Sequence, residues 1–435
     1  MSGALKRVGG TSRSVAIATL GNLGAPLAAF ISAPILARVL GVDDRGEVAA
    51  ITAPFLLAVS ALTIGLPEAI TYFASKRPAS ARRVLRQGTL MLAAVGLLGS
   101  LALLWLMPLL IPGVDGVTSA CVALALIPSL VLGGVRGYAA GLGAWKQISI
   151  ERTFGALARL AAVVALAWLD VLTIESASLA IAVTTFAGGI CYIPLLLSRR
   201  SPRDAPDELG EIAPRNLLSF GSRLWFGSLA GVLLSRLDQT LMIPLSSPHQ
   251  LGLYAVAVSV SEVTLVFNSA VRDVIFAAES GGTNEARLTL AARASTMLTF
   301  VMCAAVGILS TWWLAPVFGE EFAPAIAIVH VLLIGVVLGN PGSVAGAGLS
   351  ARGRPELRSY ALVVACIVNV GLVVLLVPTL GAMGAAIATV AGNTAAGGMC
   401  IFWMRRVFGV PVLEFLGVRW SDVVELTALA RRLVR

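Results

Sequence analysis

Long apolar segments recur along the whole 435-residue chain and are separated only by short polar breaks. Each segment is long enough for the roughly 20 residues that an α-helix needs to cross the hydrocarbon of a bilayer. We therefore predict an all-α polytopic membrane protein with about twelve transmembrane helices. The predicted spans lie near 15–37, 47–74, 84–111, 117–141, 153–169, 176–198, 216–244, 250–277, 288–315, 322–350, 357–377 and 381–404.

The composition agrees with this class, because 57% of the residues are hydrophobic and only 13% are charged. The basic residues concentrate in alternate connections, such as 76–86, 199–215 and 352–358, whereas the other connections carry mainly acids. Since Lys and Arg stay preferentially on the cytoplasmic side, both termini are predicted to be cytoplasmic in a multi-pass protein of the inner (plasma) membrane. The net charge of +9 then belongs to the inner leaflet and does not indicate nucleic-acid binding.

Two similar stretches indicate an internal repeat: "AGGICYIPLLLSRR" at 187–200 and "AGGMCIFWMRRVFG" at 396–409. Six helices per half give both halves the same orientation, so we expect a pseudo-twofold axis along the membrane normal and a substrate path at the seam between the halves. The predicted domains are a cytoplasmic N-terminus (1–14), an N-lobe (15–198), an inter-lobe linker (199–215), a C-lobe (216–404) and a cytoplasmic tail (405–435). The tail is predicted to form an interfacial amphipathic helix.

Three stretches carry a resemblance to a known family: "ARVLGVDDRGEVAA" at 37–50, "GLPEAITYFAS" at 65–75 and "SRLDQTLM" at 235–242. With them the chain resembles the polysaccharide (O-antigen type) flippases of the multidrug, oligosaccharidyl-lipid and polysaccharide exporter superfamily. The resemblance implies a V-shaped pair of lobes that moves a polyprenyl-diphosphate-linked oligosaccharide to the outer leaflet by alternating access. Lipid II flippases and cation-coupled drug antiporters of the superfamily are similar and remain alternatives.

The resemblance also implies partners: a lipid-linked glycan as substrate, membrane lipids, and a glycan polymerase or other proteins of the pathway, with the chain itself a monomer. A diphosphate that crosses the bilayer needs cations, and arginine offers a planar fork of donors that stays protonated. The candidate arginines inside helices or at their inner ends are Arg136, Arg159, Arg223, Arg236 and Arg272. Those near a helix end could instead snorkel to the headgroups.

The stretch at 37–50 holds the only two cations of the predicted outer face, Arg38 and Arg45. Asp44 and Glu47 have the spacing of a capping box and are predicted to begin the second helix. Arg38 lies beside the predicted exit, where a diphosphate would need a partner before release.

Acidic residues inside the helices are candidates for ion coupling. Asp238 lies on a stripe of small residues, Glu262 lies in the middle of the eighth helix, and Glu68 follows the "GLP" sequence of the second. A buried carboxylate without a neighbouring cation could bind a proton or Na⁺ in one state only, and the alternative is a static ion pair with an arginine. Asn22 and Pro26 are expected to interrupt the first helix and contribute to gating.

Several catalytic motifs are absent from the sequence. None of the three lysines follows a glycine, so there is no Walker A loop, and the chain has only two histidines. The five cysteines all lie in apolar segments and lack the spacing of a metal site. We therefore predict no enzymatic activity and no cofactor apart from a coupling ion, Na⁺ or H⁺.

Overall fold

A computed structural model of the chain describes residues 2–111, 113–197, 213–280 and 283–416. Within these ranges the regular elements are all helical and there is no strand, which confirms the predicted all-α class. The chain divides into two compact units, Met1–Leu229 and Ala230–Arg435. The boundary lies C-terminal to the predicted linker at 199–215, most of which falls outside the described residues.

The first unit contains eight helices among the described residues and the beginning of a ninth. They are α1 Ser2–Ala61, α2 Leu66–Lys76, α3 Ala81–Leu110, α4 Gly116–Leu124, α5 Leu126–Gly141, α6 Trp145–Trp168, α7 Ile174–Ala187, α8 Ile193–Leu197 and the N-terminal part of α9 Pro214–Leu245. The core is formed by fully buried apolar side chains of α2, α3 and α5, among them Leu66, Ile70, Leu92 and Leu126.

The second unit contains the C-terminal part of α9 and five further helices within the described ranges. They are α10 Pro248–Ser280, α11 Glu285–Phe318, α12 Ala325–Ala351, α13 Pro355–Phe408 and α14 Leu413–Leu416. Helices α12 and α13 cross very closely, because a Cβ added at Gly342 would lie 1.9 Å from the Cα of Gly397. Small residues at this crossing allow the backbones to approach, as is usual between helices in membranes.

Seven helical segments of the described chain are long and apolar enough to cross a membrane, or eight if the bent pair Pro214–Trp225 and Ser228–Leu245 is one span. These segments make the chain a multi-pass membrane protein. Two of them, Phe30–Lys76 and Pro355–Phe408, have 47 and 54 residues, about twice the length that crosses the hydrocarbon. Pro355–Phe408 covers the last two predicted spans, and Phe30–Lys76 covers the second predicted span and the end of the first.

A single glycine interrupts each of the two longest helices. Gly41 in α1 has φ 77° and Gly381 in α13 has φ 56°, values that side chains with a Cβ rarely adopt. The prediction of a capping box at Asp44 is wrong, because the break lies at Gly41 and Asp44 falls inside the following helical segment. The expected interruption at Asn22 and Pro26 is also absent, since α1 remains helical through both residues.

Three other predicted spans are interrupted in the structure, among them the second predicted span at the "GLP" sequence. In the second predicted span, α1 ends at Ala61 and α2 begins at Leu66. Ile64, in the connection between them, has φ 48°. The fourth is divided at Ala125, and the sixth contains a 3-10 turn at Gly188–Tyr192. Several helix starts are capped by side chains: Asp115 accepts the Thr118 N–H at 3.0 Å, and Asn284 accepts the Arg287 N–H at 3.0 Å.

Candidate functional site

A cavity of about 300 Å³ that is partly lined by polar and charged side chains lies inside the second unit, with walls from α9, α10, α12 and α13. Membrane helices are mainly apolar, so a cavity between them that collects charged side chains is a candidate functional site. Its polar lining consists of Ser235, Asp238, Tyr254, Ser261, Glu262, Arg272, Ser343, Arg358, Thr389 and Asn393. Three of the residues predicted from sequence, Asp238, Glu262 and Arg272, therefore line one cavity.

Asp238 is buried at the cavity wall within a hydrogen-bonded network that joins three helices. Its Oδ2 accepts hydrogen bonds from the Tyr254 hydroxyl of α10 and from the Thr389 hydroxyl of α13, the latter at 3.2 Å. Its Oδ1 accepts the N–H of Gln239 at 2.7 Å. Asp238 lies seven residues, roughly 10 Å of helix rise, before the end of α9. The carboxylate thus holds α9, α10 and α13 together at one end of the cavity.

Glu262 forms an ion pair across two helices with Arg236, with 3.5 Å between Oε1 and Nη2. The Glu262 and Arg236 side chains are 41% and 39% exposed, so the pair is not sealed inside the unit. Arg236 and Glu262 were predicted to serve different roles, as a diphosphate ligand and a coupling group. The structure brings them together as partners, which is the static pairing that the sequence left open for Glu262.

Two arginines lie at the other end of the cavity. Arg272 donates to the Ser343 hydroxyl at 3.1 Å, and the side chain of Arg358 packs beside Gly346, one helical turn further along α12. Ten residues of α10 separate Arg272 from Glu262, which corresponds to roughly 15 Å along the helix. The cavity therefore has a carboxylate end and a guanidinium end. The guanidinium end could receive an anion of phosphate size.

Asn369 of α13 is an unusual buried amide close to the same helices. It is fully buried, and neither its Oδ1 nor its Nδ2 has a hydrogen-bond partner among the described residues. Its Cβ and the Leu234 side chain both come within about 3.0 Å of a Cβ built on Gly392, so it lies where α9 meets the part of α13 that follows Gly381. Buried polar groups are nearly always paired, so this amide is an exception among the buried side chains of the second unit.

The predicted arginines of the first unit are engaged by neighbouring helices. Arg136 donates twice to the carboxylate of Glu151, at 2.8 and 3.0 Å, and the Tyr192 hydroxyl donates to the same carboxylate at 3.3 Å. Arg159 donates to the Thr184 and Thr185 hydroxyls of α7 at 3.4 and 3.3 Å. Arg136 has the geometry of a structural ion pair, whereas Arg159 has only weak neutral partners in these two contacts.

The remaining predicted residues do not join the cavity of the second unit. Arg223 is exposed and donates to Ser219 of its own helix at 3.2 Å. Arg38 is exposed on α1 just before Gly41, and Glu68 is exposed in the first turn of α2. The side chains of Asn22 and Pro26 lie outside the part of the structure that is described.

Sequence reasoning missed Tyr254, Thr389, Asn369 and Arg358. A tyrosine and a threonine in apolar helices are common, and 135 residues separate these two. Asn369 could have been found from the sequence, because it lies in the middle of an apolar span, where a polar amide is costly. No group of three or more His, Cys, Asp or Glu side chains that could hold a metal ion occurs within the described ranges.

A family model described as "Polysaccharide biosynthesis protein" matches residues 12–278. A curated relative, the "Probable low-salt glycan biosynthesis flippase Agl15" of Haloferax volcanii, is 25% identical over 214 residues. That match covers 48% of this chain and 43% of the relative, so the chain spans less than half of the length of that relative.

The fold is similar to that of solved transporters over nearly the whole chain. An inward-facing multidrug resistance MATE family transporter of the MOP superfamily has a TM-score of 0.71 and 16% identity, with 90% of this chain and 98% of that chain covered. The lipid II flippase MurJ, in an inward closed conformation, has a TM-score of 0.72 and 13% identity, with 95% and 92% covered. The matched proteins are flippases and a transporter rather than enzymes, and they confirm the resemblance found in the sequence.

Proposed function

Because the chain belongs to the polysaccharide biosynthesis protein family, we propose that it is a flippase for a polyprenyl-diphosphate-linked oligosaccharide. The lipid-linked glycan is moved from the cytoplasmic to the outer leaflet by alternating access, with coupling to an ion. The family match and the flippase named as a relative support the substrate class, and the fold of MOP-superfamily transporters supports the mode of transport.

The charge distribution of the cavity is the structural observation that carries this proposal. Arg272 and Arg358 meet neighbouring positions of α12, so two guanidinium groups face one part of the cavity. A diphosphate carries several negative charges and matches paired arginines, which stay protonated and donate several hydrogen bonds at once. A cationic substrate would be repelled at this end. In the first unit, Arg159 donates to the Thr184 and Thr185 hydroxyls and is a second candidate ligand, because a guanidinium group stays protonated and offers several donors to a diphosphate.

The proposed topology is twelve spans in two units of six, in the plasma membrane and with both termini cytoplasmic. The breaks at Gly41 and Gly381 divide α1 and α13 into two spans each, and α6, α9 and α10 supply further crossings that contain charged residues. The concentration of Lys and Arg in alternate connections sets the orientation. Proteins that make or polymerise the glycan are the expected partners.

Transport of the proposed substrate can be measured directly. Purified protein in liposomes should move a fluorescent polyprenyl-diphosphate sugar between leaflets, followed by quenching with a membrane-impermeant reductant. Arg272→Gln and Arg358→Gln should each slow transport by about tenfold or more, since a hydrogen bond to a charged group contributes about 1.5–3 kcal/mol. Arg354→Gln is the matched control, because Arg354 lies near the same helix end, is exposed and pairs with Glu356.

The outcomes test the substrate assignment and the residue assignment separately. If the wild-type protein moves a cationic drug and not the lipid, the substrate assignment is wrong. If the lipid moves equally well in both arginine variants, the substrate stands and the assignment of the guanidinium end is refuted.

We assign ion coupling to Asp238 rather than to Glu262. Glu262 already has Arg236 as a counter-ion, whereas the hydrogen-bond partners of Asp238 are two hydroxyls and one backbone N–H. A carboxylate held by neutral donors can exchange them for a proton or Na⁺ when the helices move. The donors come from three helices, so occupancy of the site changes how α9, α10 and α13 are held together.

An isosteric neutral variant tests the coupling. Asp238→Asn keeps an acceptor for the Tyr254 hydroxyl but removes the charge, so the dependence of transport on pH or Na⁺ should disappear. Asp170→Asn is the control, because Asp170 is exposed in a turn with φ 53°, where Asn is well tolerated. A pH and Na⁺ dependence that survives in Asp238→Asn would refute the role of Asp238.

A cation-coupled drug antiporter is the second candidate, and its support is the multidrug transporter of comparable TM-score. A lipid II flippase is the third, supported in the same way by MurJ. A competition assay distinguishes the three candidates. Transport of the fluorescent lipid is measured in the presence of an unlabelled polyprenyl-diphosphate oligosaccharide, a cationic dye or lipid II. The glycan flippase predicts that the first competes best.

A further inference from the structure

A second cavity, of about 570 Å³, opens on the surface of the second unit and shares one lining residue, Gly397, with the site described above. One wall is the C-terminal part of α13, with Thr394, Gly398 and Phe402. Leu338 of α12 and Leu416 of α14 close its sides. Leu338, Phe402 and Leu416 are each more than half exposed, as expected for side chains that face lipid. We call this surface the α13 groove.

Two arginines lie at one end of the α13 groove. Arg405 and Arg406 are consecutive residues in the last turn of α13, and both side chains are exposed. Neither guanidinium group has a hydrogen-bond or ion-pair partner within the described part of the chain. A basic end on an apolar groove is complementary to a ligand with an anionic head and an apolar tail.

The chain after α13 builds this end of the groove and is held in place by contacts of its own. Phe415 of α14 is buried, and Arg293 of α11 donates to the backbone carbonyl and the carboxylate of Glu414 at 2.8 and 3.2 Å. Arg293 itself is buried. The groove is thus a formed pocket and not merely the end of a helix with charged residues.

The length of the groove fits one leaflet of a bilayer. Eleven residues of helix separate Thr394 from Arg405, which corresponds to roughly 16 Å. Half of the hydrocarbon core is about 15 Å. An acyl chain whose headgroup lies at the two arginines would therefore reach the far end of the groove.

The chain's own C-terminal segment is a poorer occupant. Residues 417–435 contain four arginines against one aspartate and one glutamate, so the segment carries the same sign of charge as Arg405 and Arg406. Like charges brought together in a medium of low dielectric constant repel each other. An anionic ligand, by contrast, is attracted to this end of the groove.

We propose that the α13 groove binds one anionic diacyl phospholipid, with the phosphate against Arg405 and Arg406 and an acyl chain along Gly398 and Phe402. Gly397 lines both this groove and the inner cavity, so the proposed lipid site and the proposed transport site adjoin at this residue of α13. The proposal concerns lipid binding and holds whatever the transported substrate is.

Headgroup selectivity tests the basic end. The full-length protein is purified in mild detergent with an equimolar mixture of phosphatidylglycerol and phosphatidylcholine, and retained lipids are counted by native mass spectrometry. The wild type should retain one phosphatidylglycerol in preference to phosphatidylcholine. The double variant Arg405→Gln/Arg406→Gln should weaken this retention about tenfold, because each substitution removes one cation at the lipid surface. The matched control is Arg82→Gln/Arg83→Gln, another exposed adjacent pair near a helix end.

A groove-filling variant tests the apolar part without removing charge. A Cβ at Gly398 meets no atom within 4 Å, so Gly398→Leu places its side chain in the groove without a clash in the protein. Gly371→Leu is the control, because a Cβ at Gly371 also meets nothing within 4 Å and this residue does not line the groove. Gly398→Leu should lose the retained lipid, whereas Gly371→Leu should keep it.

Equal retention of the two phospholipids by the wild type overturns the proposal. So does phosphatidylglycerol retention that Arg405→Gln/Arg406→Gln leaves unchanged. If Gly398→Leu retains as much lipid as Gly371→Leu, the groove is not the binding site and another segment, such as 417–435, covers it. Thermal unfolding of each variant in detergent without added lipid should match the wild type, so that a loss of lipid is not a loss of fold.

Discussion

The ion pair between Arg136 and Glu151 allows a quantitative test of whether a predicted substrate ligand is structural instead. Arg136→Gln removes two charge-assisted hydrogen bonds, of 2.8 and 3.0 Å, from a carboxylate whose side chain is 4% exposed. Removing one partner of a buried pair costs about 3–5 kcal/mol. Arg136 is itself 35% exposed, so we expect the lower end, about 3 kcal/mol, or roughly a hundredfold in the folding equilibrium.

The expected loss is one of folded protein, with transport per folded molecule nearly unchanged. Unfolding of the purified protein is followed by tryptophan fluorescence against denaturant for Arg136→Gln, Glu151→Gln and the double variant. Because the double variant leaves no isolated charge, its destabilisation should be smaller than the sum of the two by at least about 1.5 kcal/mol. If Arg136→Gln unfolds like the wild type and yet loses transport, the structural role is refuted and Arg136 is again a candidate substrate ligand.

Two further stability tests use matched pairs. Glu279→Gln should destabilise the second unit by about 3–5 kcal/mol, because it removes the counter-ion of Arg352, whose side chain is 3% exposed. The control Glu356→Gln breaks an exposed ion pair and should cost less than about 1 kcal/mol. Unfolding curves with equal shifts for the two would contradict this. Gly65→Ala should lower the free energy of unfolding by at least about 2 kcal/mol more than Gly143→Ala does. Both glycines have positive φ, but only the Cβ at Gly65 would lie 2.0 Å from a backbone oxygen of α9. Similar thermal stabilities of these two variants would show that the contact relaxes.

Much of the architecture could be predicted from the sequence, because the bilayer acts on each segment separately. An apolar run of about 20 residues forms a helix whatever surrounds it, since its backbone groups must be paired within the segment. The helix breaks were harder to predict. The prediction of a cap at Asp44 followed the charges, but the break lies at Gly41, because backbone conformation at positive φ depends on a missing Cβ and not on charge.

The charged residues inside the membrane were also visible in the sequence, but their partners were not. Arg236 and Glu262 were each identified as exceptional for their depth, and only the packing of α9 on α10 shows that they form a pair. Thr389 reaches Asp238 across 151 residues of sequence. The sequence by itself therefore determined a polytopic helical membrane protein of a flippase-like family and the set of intramembrane charges. The tertiary structure decided which charges neutralise each other and which face a cavity, because those contacts depend on how helices distant in sequence pack side by side.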